Sequence, residues 1–552
     1  PDAMLSPRMS PKCEEEASLS PAGFRAFTMG RFYYNSVSPM SGKNAGLGAR
    51  AVSSPSRAVF WSLAFASAGP LLAASPQIAS FYSPVKLLCL ALGVFCAWAG
   101  LAARPEGASR PATQLDIPLA CFAALLLISC LRSEDPAVSV LGNTHMYAYG
   151  LLPMALCGAL YYAAACSGQS ARPAPLLRVC LWAACILSLY GLLQKLGIEL
   201  VAGLPGELPM GRIISLQGNP VYLGACLLMP APLALHFALS GTGGDRVLGR
   251  VAFVLLAAAL ALSVSRAAWL GAAAACAAYL FWTGRFPSAW LKGRGPALGA
   301  AALAAAFAGV LLLGARLRST AASDSGRVHL WISGLDIARE SPWLGSGPDT
   351  FQTALGRHMN EGCIRAYGRR HTQSNAHNDL LQALSTLGMA GLAAYAWVLW
   401  GSVRLARSAL ADPARRHASA ALAAALLGLF VQAKFNSVPL AALALAAVFA
   451  GSLASPGPKP LPRRISLSIA VLCAAAVFVS GRIFLADLFQ MRAVALMNDG
   501  RFDQALLRYR SSARLNPVDT LYRNSWAGCA IAYAQGTKDP LLSIRLLEEA
   551  VR

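Results

Sequence analysis

Apolar runs of about twenty residues recur from about residue 58 to about residue 485, each long enough to cross a hydrocarbon core of ~30 Å as a helix. A backbone in lipid must satisfy its own hydrogen bonds, so runs of this length and composition dictate helices packed side by side. The spans are expected at about 58–76, 84–103, 115–131, 148–167, 176–196, 219–239, 247–264, 266–283, 296–314, 379–401, 417–432, 438–454 and 465–485. The expected fold class is all-α: a polytopic membrane protein with about 12–13 transmembrane helices.

Charge has to be read against that frame. A net charge of +22 in a chain that is only 13% charged invites a nucleic-acid reading. The basic residues instead collect in short loops, as in Arg104/Arg110, Arg246/Arg250, Arg285/Lys292/Arg294, Arg404/Arg407/Arg415/Arg416 and Lys459/Arg463/Arg464. These are topology determinants of a membrane protein, so no nucleic acid is expected as a partner. With the amino end in the cytoplasm, every one of these loops faces inward. The long loop 315–378 and the carboxyl tail then face the periplasm of a bacterial inner membrane. The cysteines lie mostly inside the spans with no C-x-x-C pair and read as small packing residues. Cys363 and Cys529 fall outside the spans, and whether they pair is open.

Three domains follow. Residues 1–57, rich in Ser, Pro and Gly, are expected to be a disordered tail. Residues 58–485 form the transmembrane domain. Residues 490–552 read as tetratricopeptide-like helical repeats, with Gly500, Phe502, Ala505, Tyr509, Ala513 and Pro517 at the spacing of one helix pair and a looser copy after it. Such repeats suit a protein partner.

The loop 315–378 is far longer than an ordinary connection, which marks it as functional or disordered. Trp331, Ile332, Leu335 and Ile337 keep near-helical spacing with Val328, and Pro342, Gly345 and Gly347 predict a tight turn, so order is expected. The loop holds His329, His358, His371 and His377 and a run of arginines, a combination suited to an anion and a proton transfer. Arg266, in SVSRAAWL, stands where two spans meet with almost no loop between them, a costly place for a charge and so a candidate site residue. Arg327 opens the loop helix, with Ser323, Asp324 or Ser325 as candidate caps, a ready anion site. His377 directly precedes a span, with Asn375 or Asn378 as cap. The positive end of that helix favours neutral imidazole, which can accept a proton. Asn378 is a candidate substrate contact. A metal site on His371 and His377 lacks an H-E-x-x-H pair or acidic cluster, so neither metal nor cofactor is expected.

At these residues the chain resembles the O-antigen ligase family, which includes related polymerases and protein O-oligosaccharyltransferases. The resemblance rests on SEDPAVSVLGNTHMYAYGLL, GRIISLQGNPVYLGACLL, SVSRAAWL and SGR…PWLGSGPDTF…SNAHNDLLQALSTLGMAGL, in that order, over roughly residues 60–455. It implies a GT-C-like membrane glycosyltransferase that moves a glycan from an undecaprenyl pyrophosphate carrier to a lipid, glycan or protein acceptor. It further implies that Arg266 and Arg327 hold the pyrophosphate and that His377 activates the acceptor hydroxyl. The repeat-like tail departs from plain lipopolysaccharide ligases and leaves the acceptor open. Two other classes fit a many-span chain: a solute transporter, which predicts internal symmetry and broken midplane helices, and a membrane-anchored scaffold, which predicts no need for Arg266, Arg327 or His377.

Overall fold

The computed structural model describes residues 56–104, 108–110, 112–168, 173–205, 211–285, 321–368, 373–455 and 459–551. The tail expected at 1–57 lies almost wholly outside these residues, as does the span expected at 296–314. The first membrane half runs α1 (Arg57–Leu72), α2 (Ser83–Ala102), α3 (Asp116–Leu131), the short α4 (Pro136–Leu141), α5 (Leu151–Cys166) and α6 (Ala174–Lys195). It continues through α7 (Pro220–Leu228), α8 (Pro230–Ser240), α9 (Gly243–Ser263) and α10 (Arg266–Trp282). The loop region holds α11 (Ala321–Glu340), α12 (Phe351–His358) and α13 (Glu361–Tyr367). Then come α14 (Asp379–Leu410), α15 (Arg416–Ala433), α16 (Leu440–Leu453), α17 (Arg463–Asn498), α18 (Phe502–Leu515), α19 (Thr520–Gly536) and α20 (Pro540–Val551).

Every expected span within the described residues coincides with a helix; the sixth is α7 and α8 in succession, broken where Pro230 lacks a donor. Among the described residues, seven helices are long and apolar enough to cross a bilayer, counting α7–α8 as one. Four more apolar helices, α1, α3, α5 and α16, are shorter. At 1.5 Å per residue these reach only part of the ~30 Å core unaided, so they rely on their neighbours and flanking turns. Among the described residues the only extended structure is β1 (Ala108–Arg110) paired antiparallel with β2 (Lys459–Leu461). That pair ties together two of the basic loops assigned to one face.

With lipid outside, the helices gain by close approach rather than by escape from water. Gly271 of α10 and Gly428 of α15 show this: a Cβ on Gly271 would lie 2.6 Å from the Gly428 carbonyl oxygen. The buried Lys86 of α2 donates to the carbonyls of Pro70 (2.7 Å) and Leu216 (2.9 Å), which compensates its charge with main-chain dipoles and pins the end of α1 to the turn before α7. All thirteen described cysteines are free thiols; Cys363 and Cys529 are buried in separate clusters and do not pair.

The described part of the loop region, 321–368 and 373–378, is ordered by a device the hydropathy pattern does not show. α14 breaks at Gly388, whose φ is +68°. The freed main chain around the break laces to the turn 342–347. Met389 donates to the Pro342 carbonyl (2.8 Å), Gly347 to Thr386 (3.0 Å) and Ser346 to Ser385 (3.1 Å). The span expected at 379–401 is thus a short capped segment, a break, and then a longer helix that runs on to Leu410. A Cβ at Gly388 would stand 2.3 Å from the Trp343 carbonyl carbon in a backbone region that L-residues avoid. Gly388→Ala is therefore expected to cost about 1–3 kcal/mol from backbone strain alone, read as a lowered melting temperature in detergent; an unchanged melt would show that the lacing is dispensable.

α11 differs from expectation in two ways. It starts at Ala321, so Ser323, Asp324 and Ser325 lie inside the helix rather than capping it; the preceding Ala321 and Ala322, good helix formers, extend it upstream. Its buried side is Leu330, Ser333 and Ile337, against Phe351, Leu355 and Ala376, while Val328, Ile332 and Leu335 are exposed. Of the expected apolar face only Ile337 is fully buried.

After the last span α17 continues well past the apolar stretch, and its end pairs with α18; α19 and α20 form a second antiparallel pair. Ala493, Ala505, Tyr509 and Cys529 fill the seam.

Candidate active site

His377 is set by its neighbours on the loop. Asn375, buried, accepts the His377 amide on Oδ1 (3.1 Å), a local turn that holds His377 at φ +52°. Asn378 caps α14: its Oδ1 accepts the Leu381 amide (3.0 Å) and its Nδ2 donates to the Lys434 carbonyl (3.1 Å). Both ends of the Asn378 amide are thus occupied, and its evident work is to hold the helix start. Trp331 of α11 donates to the Ala376 carbonyl (3.0 Å), which fastens the same segment from the other side. Asp379, next in sequence, receives Lys434 Nζ at 2.6 Å on both oxygens and Tyr395 Oη at 2.6 Å. A half-buried pair with so many partners meets the condition for tolerating its partial desolvation.

The ring of His377 is sheltered, and its buried Nδ1 has no hydrogen-bond partner among the described residues. Burial first, and the nearby Arg327 second, lower its pKa to about 4. The imidazole is therefore neutral across the physiological range, with a ring nitrogen that meets no partner among the described residues. That is the state a base needs before a substrate arrives.

Arginines come to this point from three elements. Arg327 of α11 donates to Asn436 Oδ1 (3.1 Å) in the turn between α15 and α16. Arg212 donates from Nε to the Ser263 carbonyl (3.1 Å) and from a terminal nitrogen to the Val264 carbonyl (3.4 Å). It therefore sits on the α9–α10 corner, where Val264 adopts φ +49°. Burial, and then the charge of Arg327, lower the Arg212 pKa. Arg266 is the first residue of α10, one step from that corner, where the helix dipole adds to its charge. Arginines gathered from three elements suit the recognition of an anion such as a phosphate.

Arg266, Arg327 and His377 thus all lie in one region. The loop's other described basic groups have partners of their own. Arg339 pairs with Asp336, Arg357 with Glu134 and Arg365 with Glu361. His358 sits between Glu340 and the Ala354 carbonyl, and the His329 ring packs against Gly362. Arg316, Arg318, Arg369, Arg370 and His371 lie outside the described residues. No group of three or more metal-ligating side chains occurs among the described residues.

Arg212, Lys434, Asn436 and Asp349 were not singled out from sequence. A signal existed for two of them: Arg212 and Lys434 are lone cations in short loops on the face that the positive-inside bias leaves almost uncharged. Asp349, fully enclosed, accepts the Asn143 amide (2.7 Å), and burial pushes its carboxyl up to about 7 against that hydrogen bond.

His377, with its pKa lowered, stays neutral until the pH falls toward 4. In the Asp349→Asn background, which removes the group titrating near 7, kcat/KM is expected to hold down to about pH 5 and fall below it. An acid limb centred at the ordinary histidine value in that background would contradict the burial of His377.

Residues 251–396, which run from within α9 through the loop region into α14, match the family model described as O-antigen ligase. They carry Arg266, Arg327 and His377. The match supports a membrane glycosyltransferase of the O-antigen ligase or polymerase type. No curated protein matches the chain.

Proposed function

We propose, with the O-antigen ligase domain at residues 251–396 as premise, that the chain transfers a glycan from an undecaprenyl pyrophosphate carrier to an acceptor hydroxyl at the periplasmic face of the inner membrane. The observation that carries this is a neutral, half-buried His377, whose enclosed Nδ1 has no partner among the described residues, with Arg327 nearby and Arg212 and Arg266 at the adjoining α9–α10 corner. The acceptor oxygen attacks the anomeric carbon as its proton passes to the imidazole. The bond from that carbon to the pyrophosphate oxygen breaks, and the charge released stays on the carrier pyrophosphate. The arginines meet that charge as it develops, where fixed cations in a sheltered site act most strongly. Ligase and polymerase differ only in the acceptor, so both share this chemistry.

A lipid-linked donor also needs room for its chain. A crevice of about 1010 Å³ runs between α3, α5, α14, α15 and α16, lined almost entirely by apolar side chains such as Leu119, Phe122, Leu426 and Phe430. Its lining includes Tyr395 and Val438, which adjoin Asp379 and Asn436. The paired helices of the tail, on this reading, are tetratricopeptide-like and present a surface to a protein partner. The orientation rests on the basic loops.

The test in cells is accumulation of carrier-linked glycan when the gene is deleted. Wild type is expected to clear it and His377→Ala to leave it. Clearance by both would remove the proposed chemistry.

A further inference from the structure

The segment 143–149 lies within electrostatic reach of the tail on one side and is hydrogen-bonded to the supports of both reactive groups on the other. Towards the tail, Tyr147 is fully buried at φ +45°, within electrostatic reach of Asp487 inside α17 and Asp519 before α19. Asp487 accepts Tyr522 Oη (3.1 Å) and the Ser80 amide (2.9 Å), so the tail is seated on the membrane domain beside Tyr147. His145 lies near Asp519, and its carbonyl accepts Ser83 Oγ (2.7 Å).

Towards the site, the same few residues hold other groups. Asn375 Nδ2 donates to Met146 Sδ (3.7 Å), and Asn375 is the residue whose Oδ1 fixes His377. Tyr149 Oη accepts the Val438 amide (2.7 Å), two residues from the Asn436 that holds Arg327. The Asn143 amide is held by Asp349. A shift of Tyr147 therefore has short routes to the base and to an arginine.

We infer that the tail is a positioning element of the transfer site, and that Tyr147, wedged between tail and site, is the positioning residue through which it acts. This rests on the reading of His377 and Arg327 given above. It differs from a tail that only recruits a partner, which acts on acceptor binding, and from an inert cap, which acts on stability alone. Displacing reacting groups by about 1 Å from a distance can cost up to ~10²-fold in rate. The Tyr147 hydroxyl has no partner among the described residues, so the ring rather than the hydroxyl is the working part.

The experiment uses the full chain in proteoliposomes, with Tyr147→Ala, Tyr147→Phe, Tyr522→Phe and, as reference, His377→Ala. Hydrogen exchange is followed in peptides covering 374–382 and 434–438, beside kcat and acceptor KM. Tyr147→Ala is expected to speed exchange in both peptides and to lower kcat by about 10–100-fold with acceptor KM held. Tyr147→Phe is expected to restore both, and Tyr522→Phe, which loses only the Asp487 bond, to shift both in the same direction by less. If Tyr147→Ala does not insert, Tyr522→Phe decides. Unchanged exchange at 374–382, or a loss confined to acceptor KM, overturns the inference. Exchange is read without any transfer assay, so its failure is distinct from failure of the chemistry, which would show as full activity in His377→Ala.

Discussion

His377→Ala is expected to lower transfer by about 10²–10⁴-fold, the usual cost of removing a general base, while leaving the carrier-linked donor bound. The split follows from where the groups sit. The imidazole contributes a neutral nitrogen with no partner among the described residues, whereas Arg212, Arg266 and Arg327 supply fixed positive charge. The fold should survive the change. Asn375 contacts the His377 main chain, Asn378 caps α14 with its own side chain, and the Lys434–Asp379 pair is untouched. Measured in reconstituted membranes, the expected pattern is a fall in kcat, donor binding within a few-fold of wild type and an unchanged melt. Loss of donor binding in step with rate would instead place His377 among the anion contacts.

Arg327→Ala and Arg266→Ala are each expected to lower transfer by about 10²–10³-fold, as removal of a group facing developing charge does elsewhere. Here the donor is held less tightly as well, because the ground-state pyrophosphate is already anionic. Lysine at either position should recover little, since it lacks the planar donor fork that can bridge two phosphate oxygens. The two variants differ in one readout. Arg327 is one of the two causes that lower the His377 pKa, so Arg327→Ala should move the acid limb of kcat/KM upward toward the ordinary histidine value. Removing Arg266, which is not among those causes, should leave the limb where it is. Full activity in both alanine variants would end the pyrophosphate assignment.

How much of this was legible from sequence depended on the range of the interactions involved. The spans were legible because each is a local property, about twenty apolar residues in a row. The capping of α14 was legible too, since Asn378 stands at the boundary between a polar stretch and an apolar one. Arg266 stood out as a charge in a costly position; Arg327 stood out as opening the loop helix, but that helix starts at Ala321 and Arg327 lies inside it. The start of α11 was misread because a run of Ser and Asp competes with two alanines upstream, and local signals do not decide between them. The Gly388 break was hidden inside a continuous apolar run; it exists because the 342–347 turn, some forty residues earlier, supplies its hydrogen-bond partners. Arg212 and Lys434 needed tertiary structure as well: one is brought to the α9–α10 corner and the other to Asp379 by packing that no window of sequence contains.

The most direct measurement is a single-turnover assay with purified protein in proteoliposomes, undecaprenyl-pyrophosphate-linked glycan and a hydroxyl-bearing acceptor, with products resolved by mass. Release of undecaprenyl pyrophosphate equal to the glycan gained by the acceptor, dependent on His377 and Arg327 and unaffected by a chelator, is the predicted result. Acceptor left unmodified while donor is consumed, or equal product from the His377→Ala protein, would contradict it.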